Sequence, residues 1–162
     1  MIIKATAAVT VIAVGVLVST ALGTPASGVT AETARGPVAE LKLHGKFDNG
    51  AQVKLRTEGE MEFITQRIVA APGATFGWHT HPGENVNVVL RGAITLYHDE
   101  HCTEGTVYGP GSTFTTSPDD VHLAHNETGE ELVLFATYFA PRTSPPLAVR
   151  IDQPSPGAGC PQ

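Results

Sequence analysis

Residues 73–92 read GATFGWHTHPGENVNVVLRG, and this stretch decides the fold. Two histidines, His79 and His81, stand one residue apart, after the Ala71-Pro72-Gly73 turn and before a run rich in β-branched residues. On a strand, residues i and i+2 face the same way. Both imidazoles therefore point to one side, at a spacing that suits one shared cation. The same alternation sends Phe76, Trp78 and Thr80 to the other face, which predicts Trp78 packed behind the sheet and away from the histidine pocket. An HxH pair alone is a weak signal, so its surroundings have to decide.

Working outward, short strand-like segments follow one another with turns between them. Residues 40–47 and 51–56 flank Asp48-Asn49-Gly50, a hairpin signal. Further candidates are 60–70, 75–81, 86–91, 93–98, 113–116, 121–125, 131–140 and 147–151, with a glycine-rich connection at 105–111. Residues 131–140 are apolar on both faces, as a central strand is. No sustained helical period follows residue 31, and the pattern predicts an all-β antiparallel sandwich or barrel.

The 162 residues suit one domain plus ends. A formal net charge of −6, without a long basic cluster, argues against nucleic acid as a partner. Residues 1–31 read as a signal peptide or an uncleaved anchor. Lys4 is the only charged residue before Glu32, residues 5–22 are small and apolar, and cleavage sites are offered at Thr24-Pro25-Ala26 or Val29-Thr30-Ala31. This predicts a secreted, extracytoplasmic protein, with membrane contact only if the apolar segment is retained. Residues 32–39 continue the small, polar, aperiodic stretch that begins at Thr24 and read as a flexible linker. The barrel is expected over 40–151, and a Pro/Gly-rich tail over 152–162. In an oxidising compartment Cys102 and Cys160 are expected to pair and to staple that tail to the domain. The alternative is a metal held by Cys102 with His98 and His101.

Spacing then ties the opening stretch to a second one. Gly73, five residues, His79-x-His81 and Gly92 fall in one register; Gly111, His122 and Asn126 fall in another, with His122 eleven residues after the glycine. In both spacings residues 73–126 resemble a cupin, a small barrel of jelly-roll type. The resemblance implies a metal site of His79, His81 and His122 on the inner face. In the family's pattern a glutamate precedes the final glycine of the first motif; that position holds Asn85, with Glu84 one residue early. Glu84 and Asn85 are therefore the candidates for a fourth ligand. The second motif's proline is displaced to Pro118, and Asp119-Asp120 replaces its glycine turn.

Neutral imidazoles suit a divalent transition metal: Fe, Mn, Ni, Cu or Zn. The resemblance implies either a metal-dependent enzyme, dioxygenase- or isomerase-like, acting on a small molecule, or a non-catalytic module that binds a small ligand or metal. It also allows a homodimer formed through sheet edges. His125 is expected on the opposite face from His122, His98 and His101 in a solvated turn, and His44 without a partner. Asn126-Glu127-Thr128 fits a glycosylation sequon, but the same asparagine completes the second motif, which discounts modification. No residue pattern for nucleophilic catalysis is present.

Overall fold

One 20-residue strand ties the molecule together. The computed structural model describes residues 23–162, and in it Met61–Thr80 runs unbroken as a single strand through the Ala71-Pro72-Gly73 bend that the sequence suggests as a terminator. In chain order the strands are β1 (Ser27–Val38), β2 (Lys42–Lys46), β3 (Gln52–Arg56), β4 (Met61–Thr80), β5 (Glu84–Arg91) and β6 (Ile94–His98). They continue with β7 (Thr106–Tyr108), β8 (Thr113–Thr116), β9 (His122–His125), β10 (Leu132–Pro141) and β11 (Ile151–Asp152). A single 3-10 turn, Asp99–His101, is the only helical element among the described residues.

The first half of β4 pairs with β1 and β10, and its second half with β9 and β11. A strand that changes partners midway belongs to two walls at once. One wall runs β1-β4-β10-β5-β8 and the other β11-β4-β9-β6-β7, and together they form a nearly closed antiparallel barrel. β10 lies between β4 and β5, as its apolar sequence predicts. Its alternate residues Leu132, Leu134, Ala136, Tyr138 and Ala140 enter the core, while Phe135 faces outward and is exposed. Ile64 and Ile68 from the neighbouring β4, and Ile94 and Leu96 from β6, complete the interior.

The corner of β4 is held by Asn126. Its buried Nδ2 donates to the carbonyls of Ala70 (3.2 Å), Ala71 (3.0 Å) and Glu130 (2.8 Å). Those bonds tie the bend of β4 to the turn entering β10. An amide so enclosed is not open to glycosylation, and the second-motif asparagine has a structural task.

Several expectations about organisation change. The segment read as a flexible linker, 32–39 with the stretch before it, is mostly β1, paired with β4 from Ser27 to Val38. Its side chains are mostly exposed, so an edge strand held by backbone hydrogen bonds carries no hydrophobic alternation for the sequence to display. Conversely, the β2–β3 hairpin forms as predicted but as a separate two-stranded sheet outside the barrel. The glycine-rich connection 105–111 contains β7, and of 147–151 only the end is a strand. The apolar run behind the signal or anchor reading lies in residues 1–22, outside the described residues. Residues 27–31, included in that reading, belong to β1. Among the described residues no helix is long and apolar enough to cross a membrane.

The expected disulfide is present: Cys102 is bonded to Cys160, with a Cα–Cα distance of 5.1 Å. It excludes Cys102 as a metal ligand beside His98 and His101. The tail it fixes covers the outer side of β4. Trp78 is fully buried there, and its indole Nε1–H donates to the Pro161 carbonyl at 2.8 Å. Trp78 packs behind the sheet, as the alternation predicts.

Candidate metal centre

The second half of β4 carries His79 and His81, and β9 lies beside it with His122 directly opposite His79. All three side chains are buried and face the barrel interior. Ring centroids are 4.9 Å apart for His79 and His81, 4.4 Å for His79 and His122, and 5.1 Å for His81 and His122. One ring nitrogen from each lies within 4.8 Å of the other two.

Hydrogen bonding fixes which nitrogens these are. His79 Nδ1 meets the Gly77 carbonyl at 2.7 Å, His81 Nδ1 the Val149 carbonyl at 2.6 Å, and His122 Nδ1 the Asp120 carbonyl at 2.9 Å. A carbonyl oxygen only accepts, so each Nδ1 carries the proton and each Nε2 keeps its lone pair when the ring is neutral. The rings are held neutral. Burial pushes the His79 pKa well below 6.5, and the neighbouring His122 and His81 lower it further. Burial brings His81 down to about 4 against the opposing pull of the Val149 carbonyl, and burial lowers His122 as well. Three convergent acceptors, none with a proton to give the others, suit a cation that accepts all three lone pairs. Backbone carbonyls behind the rings are a common second layer for such ligands.

The local sequence explains this arrangement through one glycine. Gly77 has φ +66°, and between Thr75 and Trp78 β4 holds one residue more than its partner β9. Such a bulge inverts the alternation. Phe76, expected on the Trp78 face, therefore points into the barrel with His79 and His81 and lines the interior cavity. The bulge also supplies the carbonyl that holds His79. A Cβ at Gly77 would collide with the Thr24 carbonyl and with Arg150. A glycine inside a strand pattern is the signal that could have shown it.

The fourth-ligand candidates separate. Glu84 is exposed on the outer face of β5, whereas Asn85 is buried. Asn85 Nδ2 donates to Thr116 Oγ1 at 2.6 Å, and its Oδ1 accepts from Asn87 Nδ2 at 2.5 Å. The carboxylate thus points away from the histidines, and the amide that takes its place is engaged with its neighbours.

His98 departs from the solvated-loop expectation. It ends β6 opposite His122 in the β6–β9 register, and its Nδ1 lies 2.7 Å from Asp120 Oδ1. Asp120 thereby links His98, through its carboxylate, to His122, which its carbonyl orients, a connection the sequence does not announce. His101 falls in the 3-10 turn, and the partly exposed His125 lies outside the cluster, near the Gly73 carbonyl at 3.3 Å.

Beside the histidines lies an interior cavity of about 180 Å³. Tyr138, whose ring centroid is 5.1 Å from that of His81, borders it, and burial raises its phenol well above the ordinary value of 10.

Residues 66–138 match the family described as Cupin domain. Among solved structures, the polyketide cyclase RemF from Streptomyces resistomycificus is 16% identical with a TM-score of 0.50, over 74% of this chain and 70% of that one. A cupin-like protein from Thermotoga maritima is 23% identical with a TM-score of 0.47, over 59% and 68%. A Cupin 2 conserved barrel domain protein from Salinispora arenicola is 23% identical with a TM-score of 0.43, over 48% of this chain and 62% of that one. The chain thus spans about three fifths of the Salinispora protein's length. At such identities the likeness concerns the fold alone. Among curated proteins none matches the chain.

Proposed function

From a chain that belongs to the cupin superfamily, we propose a protein that binds one divalent transition metal through Nε2 of His79, His81 and His122. The single observation that carries this reading is the hydrogen bonding of all three Nδ1 atoms to backbone carbonyls, which leaves three Nε2 lone pairs free in a cluster whose ring nitrogens lie within 4.8 Å of one another. Fe, Mn, Ni, Cu and Zn all accept imidazole, and the outward Glu84 disfavours the harder Mn(II) within that set. When bound, such an ion supplies Lewis-acid or redox chemistry and retains positions for a further ligand.

The chain's own residues do the rest. β4 and β9 hold the rings, the carbonyls of Gly77, Val149 and Asp120 fix their tautomers, and largely apolar walls line the adjoining cavity. The reading is a metal-dependent enzyme of dioxygenase or isomerase type acting on a small molecule held there. One observation favours a non-catalytic binding module instead: among the described residues no carboxylate lines the cavity, so none of them places an acidic side chain there as a general base. The disulfide supports an extracytoplasmic location.

Metal analysis of protein purified without chelator tests the site. Near-stoichiometric metal in the wild type and its loss in a His79→Ala/His81→Ala variant are expected. Substoichiometric metal in both would remove the reading. Turnover in a substrate screen under oxygen with Fe(II) supports the enzyme, and ligand retention without turnover supports the module.

A further inference from the structure

We propose that the cavity beside His79, His81 and His122 selects a small, neutral, mostly apolar molecule of about single-ring size, with one nitrogen, oxygen or sulfur donor directed at the histidines. Only the donor atom rests on the metal reading above; size and charge rest on the cavity itself.

Size comes first. The cavity measures about 180 Å³, and a protein cavity of about 150 Å³ is large enough to hold benzene. A two-ring molecule exceeds that volume and has to displace the wall or project through the open side of the cavity. The wall is largely apolar, with Ile68, Leu96, Leu134 and Phe114 among its residues. Burying apolar ligand surface there is favourable, at roughly 25 cal/mol per Å².

Charge is decided by what the wall lacks and by how the one cation that lines it among the described residues is occupied. Among the described residues no aspartate or glutamate lines the cavity, so a cationic ligand finds no counter-charge there. Arg150 borders it, but its Nε donates to the Phe76 carbonyl at 2.9 Å, its Nη2 to the Thr24 carbonyl at 2.7 Å, and its Nη1 pairs with Asp152. A guanidinium so engaged is spent on holding the chain ends together and offers no fork to a carboxylate. Away from the histidines, neutral polarity comes from two places, the Gln66–Tyr138 pair, in which the Tyr138 hydroxyl donates to Gln66 Oε1 at 3.2 Å, and the Asn85–Asn87–Thr116 group. The Asn87 amide nitrogen and the Thr116 oxygen are both bonded to Asn85, and Asn87 and Thr116 line the cavity. They offer a neutral partner to one polar atom of the ligand.

Selectivity also belongs to this chain in particular. Val29 and Ala31 of β1, and Val149 near the C-terminus, line the cavity and lie outside the 66–138 match. The ends of the chain therefore set the size limit.

The test uses the whole protein and three probes: phenol, 2-naphthol and acetate. In metal-free protein, the methyl resonances of Ile68, Leu96 and Leu134 are expected to shift saturably with phenol. Naphthol and acetate should bind at least tenfold more weakly. Val29→Phe, which narrows the cavity from β1, should weaken phenol at least tenfold. Should that variant fail to fold, Leu134→Ala reads the same limit in the opposite sense by admitting naphthol at least tenfold more tightly than wild type. Acetate binding as tightly as phenol, phenol unaffected by Val29→Phe, or naphthol unaffected by Leu134→Ala, would overturn the proposal. With Co(II) loaded, phenol should also perturb the visible Co(II) bands. Bands that form but ignore phenol would refute the histidine-directed donor. Failure of Co(II) to bind, with the phenol shifts intact, would refute the metal reading while supporting the size and charge assignment.

Discussion

Opening the Cys102–Cys160 bond tests how the tail supports the barrel. The bond joins residues 58 apart in sequence. On the chain-entropy model, closing a loop of that length stabilises the fold by about 4 kcal/mol. Release of the tail also removes the acceptor of the Trp78 indole N–H, at Pro161, which costs about 1 kcal/mol more if water does not replace it. The described chain is about 140 residues, and an unfolding entropy of about 2.1 cal/mol/K per residue converts 4 kcal/mol into a fall in Tm of about 14 °C. The assay is thermal unfolding of a Cys102→Ser/Cys160→Ser variant followed by intrinsic fluorescence. Trp78 is the only tryptophan and is fully buried, so its emission at 25 °C should move to longer wavelength as the tail leaves it. Using the double variant avoids free thiols that could themselves bind metal. A Tm within about 3 °C of wild type, with unmoved emission, would refute the idea that the staple holds the tail over Trp78.

Three further outcomes follow from the site. Gly77→Ala forces a side chain into a left-handed backbone conformation and against the Thr24 carbonyl; it should destabilise the fold by at least about 2 kcal/mol and weaken metal binding, whereas wild-type affinity by calorimetry would discount the bulge. In metal-free protein His81 titrates near 4, while the unfolded chain takes up that proton near 6.5. Stability is therefore full above 6.5 and is lost as pH falls through 4, by about 3 kcal/mol from this residue alone; a urea midpoint unchanged between pH 7 and 4 would contradict it. Glu84→Gln should leave metal affinity within about twofold of wild type, since each tenfold corresponds to about 1.4 kcal/mol and the carboxylate faces outward; a tenfold loss would place Glu84 at the ion.

Much of the histidine cluster was legible because antiparallel pairing converts spacing into proximity. The i, i+2 relation places His79 beside His81, and the second spacing delivers His122 opposite His79. Parity along β5 sets Asn85 inward and Glu84 outward. The Pro82-Gly83 turn before it leaves that phase open to a sequence reading, because a turn can shift the alternation by one residue. Phe76 was misplaced for a related reason: the bulge at Gly77 adds one residue, and counting by two across it gives the wrong face. β1 was missed because its pairing is made by the backbone, which every residue carries. The polar, mostly exposed side chains of this edge strand resemble those of a linker.

The three histidines come from the shared domain, but their readiness for a cation depends on chain outside it. His81 is oriented by the Val149 carbonyl. The segment carrying Val149 is tied down by Arg150, whose guanidinium reaches Phe76 and Thr24. It continues into β11, which pairs with Thr80 and His79, and then into the disulfide-held tail. A ligand set can therefore match the family spacing while its orientation and its adjoining cavity are set by the ends of this chain. Fold membership does not select a substrate for that reason: the parts that line the cavity include β1 and the segment after β10, where the family match no longer extends.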